Sequence, residues 1–220
     1  MLDAGGGSGE LALRLAQRGY RIWLLDYAPA MLDQARRAAQ ALPKDVQARM
    51  TFCLMPVSDV PDSFAPGFFD AILCHTLIEY LPDPVDALQR LVTSLRDGGL
   101  LSLSFVNRHA EVLRQVWSRC DPAGALTKLE GGVFCAGLFD LSGVAHTAQE
   151  VSGWLVDMGL TITENLGVRI FADYVPDERL DENEFFDALL RLEIVSAAQL
   201  PYQLLARYVH LLALKNVGHS

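Results

Sequence analysis

The stretch Leu2-Asp3-Ala4-Gly5-Gly6-Gly7-Ser8-Gly9 sets four glycines between the tail of an apolar strand and a helical pattern. Glycines at a strand-to-helix turn allow positive φ and let a ligand approach the backbone where a Cβ would collide with it. Asp26 follows seventeen residues after Gly9, at the end of a second β-rich run over 21–25. A carboxylate in that position can accept hydrogen bonds from both hydroxyls of a ribose. Gly5, Gly6, Gly7, Gly9 and Asp26 are therefore the candidate nucleoside-binding residues.

Asp3 narrows the choice of ligand. A dinucleotide turn runs G-x-G-x-x-G and presents a helix N-terminus to pyrophosphate, whereas the spacing from Gly5 here is G-x-G-x-G, with Asp3 two residues ahead of it. A carboxylate there would repel pyrophosphate and could hold a cationic amino or sulfonium group. S-adenosylmethionine is accordingly the expected cofactor, and a nicotinamide oxidoreductase is disfavoured. No His/Cys/Asp cluster has metal-ligand spacing, so no metal site is expected, and neither a nucleophile elbow nor a phosphate loop ending in Gly-Lys-Ser/Thr occurs.

The surrounding pattern supplies elements to position these residues. Apolar residues at 11, 13, 15 and 16 read as a helix over 10–18, and Met31, Leu32, Ala35, Ala38, Ala39 and Leu42 mark a second from Pro29 to 42. Strands are expected at 50–54, 70–74 and 100–106, with a helix from Asp83-Pro84-Val85-Asp86 to a stop at Asp97-Gly98-Gly99. From Asn107 to His146 the rhythm breaks: a helix is expected near 112–118, then a stretch bearing Gly124, Gly131, Gly132, Gly137 and Gly143. Such a segment is read as a lid or substrate-binding insertion over the carboxyl edge of the sheet. Thr147-Ala148-Gln149-Glu150 is a capping box opening a helix that ends at Gly159. Strand material at 160–163 and 167–171, a long helix over 182–198 and a final strand over 206–214 complete the pattern. One α/β domain over 1–215 is expected, with helices on both sheet faces, a helical insertion over 172–200 and a tail at 216–220.

Composition sets the outer bounds. The 220 residues suffice for one substantial core without disulfides or metals. Hydrophobic residues make up 51% but fall in short runs, so no membrane span and, in the absence of a leader pattern, a cytoplasmic protein are expected. Cys53, Cys74, Cys120 and Cys135 lack CxxC spacing and read as buried free thiols. A formal charge of −9 opposes diffuse attraction to phosphate, so a nucleic-acid partner requires a local basic patch that the sequence does not make visible. Residues 173–193 hold eight acidic and two basic side chains and read as a solvated face.

The glycine turn and Asp26 look like motif I of class I methyltransferases, which have a Rossmann-like sheet. From Leu2 to about Lys215 the chain resembles the bacterial tRNA 5-carboxymethoxyuridine methyltransferase family. The resemblance rests on the motif I residues, on His75 with Leu77-Ile78-Glu79-Tyr80-Leu81-Pro82-Asp83-Pro84, and on Gly167-Val168-Arg169-Ile170-Phe171-Ala172-Asp173-Tyr174. It continues in Glu193, Pro201-Tyr202 and Arg207-Tyr208-Val209-His210. It implies cofactor contacts from Gly5, Gly6 and Asp26, places Ser58-Asp59 beside the adenine, and sets His75 at the methionyl or methyl-transfer side. It also implies a helical segment ahead of Leu2, so the N-terminus is expected to be truncated, and a lysine-rich run in the central insertion where this chain has only Lys128.

The implied reaction methylates a carboxylate on a tRNA wobble uridine, and such an acceptor is already ionised near neutral pH. Positioning then matters more than a general base. Arg169 and Arg207 are the candidates to guide the acceptor carboxylate, since a guanidinium can offer it two parallel hydrogen bonds. His75 is a candidate to bond the acceptor or shape the methyl channel. Tyr80, Tyr174 and Tyr208 are candidates to stack on a base or line a pocket, whereas Trp117 and Trp154 are expected to fill helix interfaces. Two alternatives remain at this point: the same cofactor serving a small carboxylate or other small molecule, and a noncatalytic cofactor-binding protein.

Overall fold

A computed structural model describes residues 1–130, 134–136 and 141–218. Gly131, Gly132 and Gly137 of the expected glycine-bearing stretch lie outside the described residues. Strands β1 (Leu2–Ala4), β2 (Ile22–Asp26), β3 (Met50–Leu54), β4 (Phe69–His75) and β5 (Leu95–Val106) alternate with helices α1 (Glu10–Gln17), α2 (Pro29–Gln40), α3 (Lys44–Gln47), α4 (Val60–Ser63) and α5 (Pro84–Ser94). Helices α6 (Arg108–Arg119) and α7 (Pro122–Leu129) follow, then the antiparallel pair β6 (Phe134–Ala136) and β7 (Leu141–Gly143). The chain continues through α8 (Ala148–Asp157), β8 (Leu160–Val168), α9 (Asp177–Leu180), α10 (Asn183–Ser196), α11 (Tyr202–Leu205) and β9 (Tyr208–Lys215). The main sheet has seven strands in the order β3-β2-β1-β4-β5-β9-β8, the expected α/β arrangement.

That order makes a switch point. The chain moves outward from β1 to β2 and β3, then returns to lay β4 on the other side of β1, all in parallel. At such a reversal the loops leaving adjacent strands diverge and open a crevice at their carboxyl ends. Register decides which residues line it: Ala4 lies opposite both Leu25 and Cys74. The next residue of each strand, Gly5, Asp26 and His75, therefore leaves the sheet on one row.

The chain forms two compact units. The first comprises Met1–Leu103, Trp154–Ile162 and Leu212–Ser220, and the second Ser104–Gly153 and Thr163–Leu211. In the first, Ile22, Leu24, Ala12, Ala16, Leu32 and Ala35 are fully buried in one cluster. Each such leucine or isoleucine contributes about 1.5–3 kcal/mol by leaving water. Trp23 meets Phe68 and Phe69 edge-on, with ring centroids 5.3 and 5.7 Å away. Cap chemistry works as the sequence suggests: Asp83 Oδ1 accepts from the Asp86 amide at 2.9 Å. In the second unit, Thr147 and Glu150 exchange side-chain-to-amide bonds of 2.9 and 3.2 Å, completing the capping box.

Several boundaries differ from those expected. Helix α5 stops at Ser94, before the Asp97-Gly98-Gly99 stop, where the backbone turns extended at Leu95 and Lys215 Nζ donates to the carbonyls of Val92 and Leu95 at 2.9 and 2.7 Å. A cation there satisfies orphan carbonyls and complements the helix dipole. Gly124 sits inside α7, where Asp121 caps its amide at 2.9 Å, rather than in a loop. Residues 169–171 do not extend as a strand, because Arg169 takes a left-handed φ of 58°. Cys120 is exposed and Cys53 half-buried, so of the cysteines whose side chains are described only Cys74 is a buried thiol. Among the described residues, no helix is long and apolar enough to cross a membrane.

Candidate active site

In the first unit the glycine turn begins as β1 ends. The amides of Gly5 and Gly6 both donate to the Leu25 carbonyl, at 2.8 and 3.2 Å, folding the turn over the end of β2. A Cβ on Gly6 would stand 2.3 Å from Leu24 Cδ1 and 2.6 Å from Asp3 Oδ2, so any larger residue forces those side chains to shift. Gly9 caps α1 in the left-handed region at φ 76°. Space at Gly7 is open, as expected of a face that receives a ligand.

Asp26 is buried and stitches the turn together. Its Oδ2 accepts from the Gly7 amide at 2.9 Å and its Oδ1 from the Ala28 amide at 2.8 Å. A carboxylate offers about four acceptor sites, so two remain for hydroxyl donors. Asp3, 3% exposed, lies beside it. Burial, and secondarily the negative charge of Asp26, push the Asp3 carboxyl up to about 7. Two buried carboxylates against open backbone create negative potential that a cationic ligand would relieve. These residues fit S-adenosylmethionine, whose amino and sulfonium groups are positive. When bound, it supplies an electrophilic methyl group.

The remaining predicted residues of this unit also follow carboxyl ends of strands. His75 closes β4, with its Nε2 2.8 Å from the buried Ser102 hydroxyl on β5. That contact fixes the imidazole plane. Ser58 and Asp59 lie in the turn after β3, joined by a 2.8 Å bond from Ser58 Oγ to Asp59 Oδ1.

In the second unit the predicted acceptor residues converge on a residue that the sequence reading placed on a solvated face. Asp173 has a side chain only 7% exposed, with Arg169 Nη2 at 2.5 Å, Arg207 Nη1 at 2.7 Å and Arg114 Nε at 3.5 Å. Arg207 also lies over the Tyr208 ring, 5.3 Å from its centroid. Tyr174 is half-buried, and burial followed by the Asp173 charge raises its phenol above the ordinary range. Three arginines around one carboxylate hold one another in fixed rotamers; a guanidinium has five N–H donors, so pairing with Asp173 leaves others on Arg169, whose side chain is half exposed.

Glu193 was also read as solvated, and it too is structural. Its carboxylate accepts from the amides of Ile170, Phe171 and Ala172 at 2.8, 2.9 and 2.9 Å. Three charge-assisted bonds to consecutive amides hold the turn that carries Arg169, Asp173 and Tyr174. Neither Asp173 nor Glu193 has a local pattern that announces this; the one available signal was an acidic residue inside a motif otherwise rich in aromatic and apolar side chains. Trp117 departs from expectation as well, being 71% exposed rather than set in a helix interface.

The fold and the glycine site together define a Rossmann-like, S-adenosylmethionine-dependent methyltransferase. Residues 2–103 match a methyltransferase domain family. A methyltransferase from Methanosarcina mazei, 19% identical, superposes with a TM-score of 0.68 over 99% of this chain and 92% of its own, which shows the fold. A ubiquinone biosynthesis O-methyltransferase of Xanthomonas campestris is 33% identical over 108 residues, 49% of this chain and 43% of its own. The tRNA 5-carboxymethoxyuridine methyltransferase of Escherichia coli is 35% identical over 216 residues, covering 98% of this chain and 79% of that enzyme. The chain belongs to the tRNA 5-carboxymethoxyuridine methyltransferase family.

Proposed function

We propose that the chain methylates the carboxylate of 5-carboxymethoxyuridine in tRNA, giving the methyl ester, as a cytoplasmic enzyme. The observation that carries this reading is the arginine set of Arg114, Arg169 and Arg207 gathered on a buried carboxylate. It lies in a chain matched along 98% of its length by an enzyme named for that nucleoside.

The chemistry asks little of acid–base groups. An acceptor carboxylate oxygen gives its electron pair to the methyl carbon as the carbon–sulfur bond breaks, and no proton moves. The protein's task is alignment and exclusion of water. Arg169, with Asp173 fixing its rotamer, receives the acceptor carboxylate. Arg207, more deeply placed, holds the cluster together. Once the ester forms, the acceptor's charge is gone and the guanidinium contact weakens, which favours release. Asp3, Asp26 and the glycine turn hold the cofactor, Ser58 and Asp59 border its adenine, and His75 lines the methyl-transfer side. Tyr174 supports the acceptor.

Nucleoside mass spectrometry tests the assignment. Incubating the protein and S-adenosylmethionine with tRNA bearing carboxymethoxyuridine should add one methyl group to that nucleoside, and Arg169→Ala should slow the addition by about a hundredfold, the loss of a charged hydrogen-bonding partner. Esterification of small carboxylates with none on that tRNA would transfer the assignment to a small-molecule acceptor, a reading that the net charge of −9 favours.

A further inference from the structure

Helix α6 carries Glu111, Arg114 and Trp117 three residues apart, hence on one face. The first two reach the charged cluster of the second unit: Glu111 binds Arg114 at 2.8 Å and Lys128 at 3.0 Å, and Arg114 meets Asp173. The cluster thus sets Arg114, Lys128, Arg169 and Arg207 against Glu111, Asp173 and the Glu193 carboxylate that holds the same turn, a local formal excess of one positive charge in a chain of net −9. The linear sequence does not reveal this gathering of cations, of which Arg169 is half exposed.

One turn further along α6, Trp117 stands 71% exposed and rests against Tyr174, ring centroids 5.3 Å apart at 52°. A large indole left in water is costly unless something covers it, and Trp117 keeps most of its surface exposed beside Tyr174. An aromatic face next to an excess of cations is the pairing that unstacked RNA bases and their phosphates select.

Resting on the tRNA reading above, we propose that Trp117, backed by Tyr174, is a stacking platform for an unpaired nucleobase of the substrate RNA other than the methylated uridine. The cations of the adjoining cluster draw the intervening phosphates. The platform adds affinity for the RNA without taking part in methyl transfer. Its contribution should therefore appear with RNA acceptors and vanish with a single nucleoside.

The test compares wild type, Trp117→Ala and Trp117→Phe on three readouts: KM for tRNA, kcat/KM for the free nucleoside 5-carboxymethoxyuridine, and calorimetric affinity for S-adenosylhomocysteine. Trp117→Ala should raise the tRNA KM about tenfold, the effect of losing one base stack, while Trp117→Phe retains most of the affinity. The nucleoside reaction and the affinity for S-adenosylhomocysteine should stay unchanged in both. Quenching of tryptophan fluorescence by an anticodon stem-loop should shrink in Trp117→Ala, where Trp23 and Trp154 remain. An unchanged tRNA KM in an enzyme that methylates tRNA overturns the platform. So does an equal loss with tRNA and nucleoside, which marks a structural role, or a change in self-association alone, which assigns the face to a second copy. Failure of the tRNA reading is separately visible, as wild type would then not methylate tRNA at all.

Discussion

Replacing Asp3 by asparagine is expected to stabilise the ligand-free protein at alkaline pH while weakening its hold on S-adenosylmethionine. The Asp3 carboxyl is raised from 3.8 to about 7 by burial and by Asp26. Between those values the folded state keeps a proton that the unfolded chain has lost. Stability contributed by this group is therefore full below about pH 4, falls as pH rises, and levels off above about pH 7. The full cost of ionising it in the fold is about 4 kcal/mol, from three pKa units at 1.36 kcal/mol each. Near pH 5 only about 1.5 kcal/mol of that cost has accrued. The gain from Asp3→Asn should then be about 2.5 kcal/mol larger at pH 8 than at pH 5, whatever asparagine does to packing, since packing is common to both conditions. Urea unfolding of both proteins at the two pH values gives the difference directly. Calorimetry should show the reverse for ligand: S-adenosylmethionine binding by wild type tightens from pH 6 to 8 with proton release, and Asp3→Asn binds more weakly at every pH. A stability gain independent of pH, or one larger at pH 5, would refute the reasoning.

Two further substitutions probe the framework around each half of the chemistry. Gly6→Ala puts a Cβ 2.3 Å from Leu24 Cδ1 and 2.6 Å from Asp3 Oδ2. It should destabilise by about 1–3 kcal/mol in thermal or urea melts and lower affinity for S-adenosylhomocysteine at least in proportion. Glu193→Ala removes the acceptor of three consecutive amides and should cost about 2 kcal/mol or more, with faster amide hydrogen exchange at residues 170–172. Cofactor affinity should hold in that variant while activity falls, because the turn it frees carries Arg169 and Tyr174.

The glycine turn and its aspartates were written in the sequence because their geometry is local. Gly5 to Gly9 fold as a turn wherever a strand and helix flank them, Asp26 ends the next strand, and the Asp83 and Thr147–Glu150 caps need only neighbours three residues away. The α/β class, too, follows from alternating strand and helix patterns, whereas the strand order is set by the tertiary structure. The arginine cluster depends on pairings that no period encodes. Arg114, Arg169, Asp173 and Arg207 are brought together across 93 positions, and burial converts Asp173 from one acidic residue among eight into the anchor of three guanidinium groups. Glu193 changes meaning for the same reason, since consecutive free amides exist only once Arg169 has turned the chain out of β geometry. Whether a charge faces water or a partner depends on which distant segment lies against it, and that is fixed by tertiary packing alone.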